Sequence, residues 1–197
     1  MKIKFDYSGF MMTKAQLYKK RRQISEHNLK NIKTLFRGCV RAFIKGTVDA
    51  MGVDTGMAAA SLAHLAKQVR YRNHLMAMIH GRVKSPAKYR VYHSTMFGPD
   101  GNKSIAYGMR KGTKNEITFG TKNKRIFTMT FSISVLQHFL WEHGKAYRGK
   151  GEMWNSIEAG VLAFLAYYKA NAKKYLPAIA WKTIMNTGKL PISIEEV

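Results

Sequence analysis

The stretch that decides the fold is residues 35–44, which read LFRGCVRAFI and form the centre of a long apolar stripe. Apolar residues recur there close to every 3.6 positions, as in an amphipathic helix. The pattern predicts one long helix from Thr13, as its N-cap, to about Met51, with Gly52 as the stop. The first half of this helix carries few apolar residues and the basic run 19–22, so we expect its first half to face solvent or a partner.

A second pattern lies near the middle of the chain. Phe127, Met129, Phe131 and Ile133 alternate with Thr and Ser, which is typical of a half-buried strand. With residues 117–119 this strand predicts a hairpin around a polar, basic turn. One domain needs its apolar faces to meet, so we expect these four side chains to share an interior with the long helix.

The remaining elements follow from shorter patterns. A turn at residues 53–56, with Asp54 or Thr55 as the cap, precedes a helix with an Ala-rich start. The further expected elements are a helix at 57–69, a second short helix at 71–80, strands near 89–93 and 105–109, a long helix at 154–175 and an alternating tail at 190–197. We expect that tail to add a strand to a sheet edge, either its own or a neighbour's.

These elements predict an α+β fold in which the N-terminal and C-terminal helices pack on a small antiparallel sheet with a projecting hairpin. The predicted organisation is one domain at 13–188, with a loop- and hairpin-rich insertion at 81–125. Residues 1–12 and 189–197 are expected to be terminal arms.

Composition restricts the partners more than the fold. Lys and Arg total 34 against 11 Asp and Glu, so the formal net charge is +23 and polyanions are favoured partners. The single cysteine, Cys39, allows no intrachain disulfide framework. The longest uncharged run, 126–141, is too short and too polar to span a bilayer, and the N-terminus lacks a signal-peptide apolar core. These features exclude secreted disulfide scaffolds and integral membrane proteins.

The candidate catalytic residues of the sequence are each explained better by an ordinary structural role. His138 and Glu142 lie four residues apart, followed by His143, but the string H-F-L-W-E-H lacks the spacing of zinc protease motifs. Cys39 lies on the apolar face of the long helix, where a free cysteine behaves as a small hydrophobe. The chain also has no glycine-rich phosphate loop. We therefore expect no enzyme activity, no metal and no cofactor.

Basic residues concentrate on the hairpin and its approaches. The candidate contact residues are Arg110, Lys111, Lys114, Lys122, Lys124 and Arg125. A basic hairpin can follow phosphates without reading bases, so we expect this one to point at DNA backbone. The alternative is that the same hairpin docks into an acidic groove on a protein neighbour.

The order of the pieces resembles a known family. A long helix is followed by Val53-Asp54-Thr55-Gly56 and an Ala-rich helix with Ser61, then by a β region, Glu142-His143-Gly144 and a helix opened by Trp154-Asn155-Ser156. Over residues 30–176 this is similar to the tail-completion (neck, or head–tail joining) proteins of tailed bacteriophages. The chain departs from the family by having Met57 after the V-D-T-G turn and His143 after the glutamate, where the family often has Arg and Gly.

The resemblance implies a structural virion protein that forms a ring at the head–tail junction, assembled in the host cytoplasm. The expected partners are further copies in a ring, six-fold rather than twelve-fold, the portal or head-completion protein, the tail tube or tail terminator, and DNA backbone in the lumen. It implies no enzyme activity, cofactor or membrane. Terminal arms without an intrachain partner would support the ring.

Two other classes stay open. One is a non-specific nucleic-acid-binding protein of packaging or ribonucleoprotein type, which the charge alone would explain. The other is a metal-dependent nuclease built around His138 and Glu142.

Overall fold

The structure is a computed structural model that describes residues 2–6, 21–51, 56–82, 101–120, 126–130, 152–187 and 192–195. The helices in these ranges are α1 (Arg21–Ala50), α2 (Met57–Ala60), α3 (Ala63–Gln68), α4 (Arg72–His80), α5 (Gly101–Lys111), α6 (Glu152–Tyr175) and α7 (Ala178–Thr187). A 3₁₀ turn, Gly112–Lys114, follows α5. The strands are β1 (Lys2–Asp6), β2 (Glu116–Thr118), β3 (Ile126–Thr130) and β4 (Ile192–Glu195).

The two long helices, α1 and α6, pack against each other at very short range. A Cβ atom placed on Gly46 would lie 2.7 Å from Cβ of Ala163, and one placed on Gly160 would overlap Oγ1 of Thr47. Further along the pair, the ring of Tyr167 covers Gly38. Residue numbers rise along α1 as they fall along α6, so the helices are antiparallel. Glycine at the crossing permits this close approach, because any larger residue would push the helices apart.

The sheet covers one side of this helix pair. Its strand order is β2-β3-β1-β4, and every neighbouring pair is antiparallel. Ile3 and Phe5 point inward, as do Phe127 and Met129 of the neighbouring strand. The ring of Phe5 lies 5.5 Å from that of Phe36 on α1, measured between centroids. The core therefore forms where the inner face of the sheet meets α1 and α6.

Several sequence predictions are confirmed in this architecture. The fold is α+β, and α1 and the long helix α6 lie where the apolar periodicity placed them. The expected start of the first helix at Thr13, its stop at Gly52 and the strand expected near 89–93 lie outside the described residues. Phe127 packs on Phe36 with 5.5 Å between ring centroids, so the strand and the helix share one interior as expected. Phe131 and Ile133, which are expected to face the same interior, lie outside the described residues. So does the tip of the expected projecting hairpin.

Both chain ends contribute strands to the sheet. The tail adds an edge strand to the sheet of its own chain, one of the two predicted alternatives, whereas residues 2–6 form an inner strand instead of the expected arm. β1 is an inner strand that pairs with β3 on one side and β4 on the other, and β4 pairs with β1 of its own chain. Only Ile3 and Phe5 of the five residues in β1 are buried. Two apolar positions are too few to predict a strand from the sequence alone. Both ends thus have an intrachain partner, which removes the support that free arms gave to a ring.

The expected strand at 105–109 is wrong, because these residues belong to α5. The buried positions of this segment are Ile105, Gly108 and Gly112, which follow the helical period. A Cβ on Gly108 would overlap the carbonyl oxygen of Met57, and one on Gly112 would overlap that of Ser61. The glycines that suggested irregular structure instead let α5 and its 3₁₀ turn lie against α2.

The helix expected at 57–69 is divided into α2 and α3. The Ser61 hydroxyl donates to the Ala58 carbonyl at 2.6 Å, while the Ser61 carbonyl accepts from Nδ2 of buried Asn115 at 3.1 Å. Using that carbonyl for a side chain interrupts the regular helical ladder. The N-cap of α2 is Gly56, whose φ of 77° favours glycine, and not the expected Asp54 or Thr55, which lie outside the described residues.

The helix crossing generates a stability prediction. Gly160→Ala should lower the free energy of unfolding by about 1–3 kcal/mol, because the new methyl group overlaps Thr47 at a packed crossing. Thr47→Ala should by itself change stability by less than about 1 kcal/mol, since its buried hydroxyl has no hydrogen-bond partner. In the double variant, urea unfolding should show that much of the loss is recovered.

The control for this experiment is Gly81→Ala at the exposed end of α4, where the nearest atom is 3.3 Å from the added Cβ. This change should leave stability nearly unchanged. Additive losses in the Gly160 and Thr47 double variant would show that the two residues do not limit the crossing.

Candidate nucleic-acid interface

The predicted contact residues separate in the structure. Arg110 and Lys111 form the last turn of α5, and Lys114 lies in the following 3₁₀ turn, so these three are on a helix end and not on a hairpin. Lys122, Lys124 and Arg125 lie outside the described residues, as do Val53, Asp54 and Thr55 of the family motif. Gly56, the last residue of that motif, begins α2 as described above.

Two contacts link the segments of α1, α4 and α5 that carry exposed basic residues. Nε of Arg41 on α1 donates to the carbonyl of Val69 at 2.8 Å, immediately before Arg70. Arg72, at the start of α4, reaches the sulfur of Met109 at 3.8 Å, next to Arg110. We name as the basic strip the five exposed basic residues that make these contacts or lie within two positions of them: Arg41, Arg70, Arg72, Arg110 and Lys111.

The basic strip carries uncompensated charge. None of its five side chains forms an ion pair with an acidic side chain of the described residues. The nearby carboxylate, Asp49, is already held by two cations, Lys45 and Arg82. The strip is therefore a region of positive potential on a helical surface, as a phosphate backbone requires.

Arg70 adopts a backbone conformation that is unfavourable for its residue type. Its φ is 57°, the left-handed region, and it ends α3. The amide of Arg70 donates to the Lys67 carbonyl at 3.1 Å, and that of Tyr71 donates to the Ala66 carbonyl at 2.7 Å. This is the Schellman pattern, in which glycine is the usual residue at the left-handed position. An arginine there costs about 1–2 kcal/mol in backbone strain and presents its cation at the tip of the turn.

An aromatic ring accompanies the α5 end of the basic strip. The half-buried ring of Tyr107 lies 5.4 Å from Nζ of Lys111 and 5.9 Å from the guanidinium carbon of Arg110. Contacts of this kind restrain long basic side chains at a surface. They reduce the side-chain entropy that these cations would lose on binding a polyanion.

Near the hairpin, the structure places a cation that the sequence did not single out. The guanidinium of Arg37 lies 5.0 Å from the ring centroid of Phe119, directly after β2. Its buried Nε has no hydrogen-bond partner. Arg37 on α1, rather than Arg110 or Lys111, thus lies beside the base of the hairpin.

A polar clamp holds the helices of the basic strip to the sheet. The Gln68 side chain accepts from the backbone N–H of Ile117 at 2.9 Å and donates to the carbonyl of Asn115 at 3.4 Å. It thereby satisfies backbone groups at the outer edge of β2, where another strand would otherwise pair. The clamp fixes α3, and with it Arg70, relative to the sheet.

The described residues contain neither a reactive cysteine nor a cluster of metal ligands. Cys39 is fully buried, and burial raises the pKa of its thiol far above the ordinary range, so it stays protonated. Across the described ranges, no three His, Cys, Asp or Glu side chains come together to hold a metal. His138, Glu142 and His143 fall outside those ranges. Within the same part of the chain, each helix is too short or too polar to cross a membrane.

Comparison of the chain with protein-family models, with curated proteins and with solved structures finds no match.

Sequence reasoning missed three members of the basic strip: Arg41, Arg70 and Arg72. One signal was available, because no acid occurs between Met57 and Pro99, a span that contains Arg70 and Arg72. The bond of Arg41 to the Val69 carbonyl and the contact of Arg72 with the Met109 sulfur are tertiary contacts, which the periodicity of a single element does not reveal. The left-handed conformation of Arg70 likewise becomes visible only in three dimensions.

Asp49 makes stability depend on pH. Partial burial raises the pKa of its carboxyl, but hydrogen bonds from Lys45 and Arg82 and their charges outweigh burial and lower it. A lowered pKa means that the unfolded chain binds more protons in acid, so this stabilisation is present above the ordinary carboxyl range, about pH 4, and is lost below it. Asp49→Asn should be less stable than wild type at pH 7.

Urea unfolding at pH 7 and at about pH 3 measures this effect, and the difference between the two proteins should shrink in acid. Glu116→Gln serves as the control, because the exposed Glu116 carboxylate has no ion-pair partner among the described residues. A difference for Asp49→Asn that is the same at both pH values would contradict the role of the charge.

Proposed function

We propose that this protein is a structural subunit of the head–tail junction of a tailed bacteriophage. In this proposal, copies form a ring between the portal or head-completion protein and the tail tube or tail terminator. The basic strip faces the DNA that passes through the lumen. The observation that carries the proposal is the basic strip itself, five exposed cations that form no ion pair with an acidic side chain of the described residues.

The chemistry of the basic strip suits a channel. Arginine and lysine bind phosphates without reading bases, and they do so by releasing counterions. Contacts of this kind are individually weak at physiological salt, so DNA can slide along them. A lumen through which a genome moves needs such contacts, whereas a sequence-specific site would hold the DNA in place.

The strain at Arg70 supports a role for its charge. Glycine would fit the left-handed turn better, and the Arg70 side chain forms no hydrogen bond, ion pair or ring contact with a described side chain. Strained residues often mark positions that serve function at the expense of stability. A polyanion at the tip of this turn gives the arginine a physical use.

The ring itself rests on the resemblance of the chain to neck proteins. Part of the order of elements in that resemblance occurs in the described fold: a long helix, a left-handed glycine that opens an Ala-containing helix, the strands β2 and β3, and a second long helix antiparallel to the first. Three further helices, α3 to α5, precede β2. We propose a six-fold ring in preference to a twelve-fold one.

Native mass spectrometry of the protein mixed with portal and with tail-tube protein tests the ring. A hexamer bound to either partner is the expected result. A two-fold dimer as the only form found in assembled particles would overturn the proposal.

DNA binding should depend on the basic strip. The variant Arg70→Glu, Arg110→Glu and Lys111→Glu should bind duplex DNA more weakly, by a similar factor for unrelated sequences. Because lost phosphate contacts release fewer counterions, the slope of log affinity against log salt should become shallower by about 2–3. Fluorescence anisotropy over a salt series measures both quantities.

The matched control carries the same change of charge outside the strip: Lys173→Glu, Lys174→Glu and Lys182→Glu, on exposed positions of α6 and α7. Lys122→Glu with Lys124→Glu measures the separate contribution expected of the hairpin. If the α6 and α7 control lost as much affinity as the strip variant, the charge of the whole chain, and not the strip, would govern binding.

Arg70 also allows stability to be separated from binding. Arg70→Gly should raise the free energy of unfolding by about 0.5–1 kcal/mol, because glycine relieves the left-handed strain. Arg72→Gly should lower it by about the same amount, because this residue lies in a helix. Both should weaken DNA binding, so a loss of affinity in the more stable variant could not be attributed to unfolding.

The basic strip also favours the second class, a non-specific nucleic-acid-binding protein that assembles with no portal or tail. That class predicts the same salt dependence and the same effect of the strip variant. It differs in one outcome, since it predicts DNA binding by a protein that forms no complex with either neck partner.

A further inference from the structure

The outward face of α6 carries an exposed apolar patch that none of the described elements covers. Leu162 is 59% exposed, and Ala166 beside it is also exposed. Val161 and Leu165 are partly buried against the core and border the same patch. The opposite face of α6 is used for the crossing with α1, so this patch is free for a partner.

Charged residues end the patch on both sides. Glu158 lies one turn before Leu162, and Lys169 lies one turn after Leu165, and both are exposed. Neither forms an ion pair with any described side chain. The four residues Glu158, Leu162, Leu165 and Lys169 stand at helical spacings of about one turn each, so they share one face of the helix.

The intervals between these four residues are four, three and four positions, so the spacing is the same when the helix is followed in either direction. When a second α6 lies antiparallel on the first, Glu158 therefore meets Lys169 of the second copy, and Leu162 meets Leu165. The two-fold axis passes between Leu162 and Leu165, which produces each contact twice. The opposite charges at the two ends favour this antiparallel register, because a parallel pair would place like charges together.

We propose that α6 binds α6 of a second copy through this face, in antiparallel orientation, to form a two-fold dimer of the free protein. The contact is isologous and closes on itself. A ring requires heterologous contacts, so the α6 contact is a separate surface and does not depend on the proposed neck function. Since one helix face buries less than a standard interface, we expect a reversible dimer with a Kd of about 10–100 µM.

Sedimentation equilibrium over a range of protein concentrations, at about 0.15 M salt, tests the dimer. Leu162→Asp should leave only monomer, because it puts a charge at the centre of the patch. Met185→Asp on α7 is the matched control, since Met185 is 64% exposed but lies outside the patch. This control should dimerise like wild type, and circular dichroism checks that both variants remain helical.

A charge exchange tests the register. Glu158→Lys and Lys169→Glu should each weaken the dimer about tenfold, because each variant brings like charges together twice. The double variant restores opposite charges and should return to within about threefold of wild type.

Three results would overturn the inference: a wild-type protein that stays monomeric to about 500 µM, equal effects of Leu162→Asp and Met185→Asp, or a double variant as weak as the single ones. These results decide whether the α6 dimer exists, and they do so independently of whether a ring forms with portal and tail tube.

Discussion

The close antiparallel packing of α1 and α6 at Gly46 and Gly160 is the contact on which the rest of the structure depends. Because glycine has no side chain, each helix comes directly against small residues of the other, Ala163 and Thr47, at this point. Beyond the crossing the aromatic residues of both helices meet, and Phe36 and Phe164 lie 6.2 Å apart between ring centroids. Phe5 of the sheet then packs on both rings. The crossing thus determines how closely the sheet approaches α1 and α6. It also determines which part of their surface is left for the shorter helices to pack on. A wider crossing would leave the core underpacked, which is costly in a single domain of this size.

Polar groups then determine how the shorter helices sit on that core. Asn115 uses the Ser61 carbonyl and Gln68 pairs with the edge of β2, so the helical segment 57–82 is fastened to the sheet by directional bonds. Arg41 and Arg82 each donate to a carbonyl near a helix end, Val69 and Val48, while Arg82 also holds Asp49. Some of the basic residues therefore stabilise the fold. The residues of the strip beyond Arg41 make no such contribution, and their charge is left for an anionic partner.

The spacing of apolar residues predicted those features that depend on the pattern within one helix or one strand. The apolar stripe centred on 35–44 and the alternation beginning at Phe127 each specify one buried face, so the long helices, the hairpin strands and their shared interior followed from sequence. It failed where glycine has two meanings: Gly108 and Gly112 suggested loops but allow α5 to approach α2. It also failed where the pattern is short, since β1 offers only two buried residues. For the site, the sequence indicated the charge and named Arg110 and Lys111, but the strip needs Arg41, Arg70 and Arg72, whose position is a tertiary property.

A neck subunit that lines the DNA channel must place the basic strip toward the axis of its ring. Electron cryomicroscopy of assembled phage particles measures this directly, from the distance of Arg70 and Arg110 to the DNA density. We expect a six-fold ring in which both guanidinium groups face the lumen, within about one Debye length, 10 Å, of the phosphates. A ring with the strip on its outer wall, or particles that lack the protein between portal and tail, would contradict the proposed function.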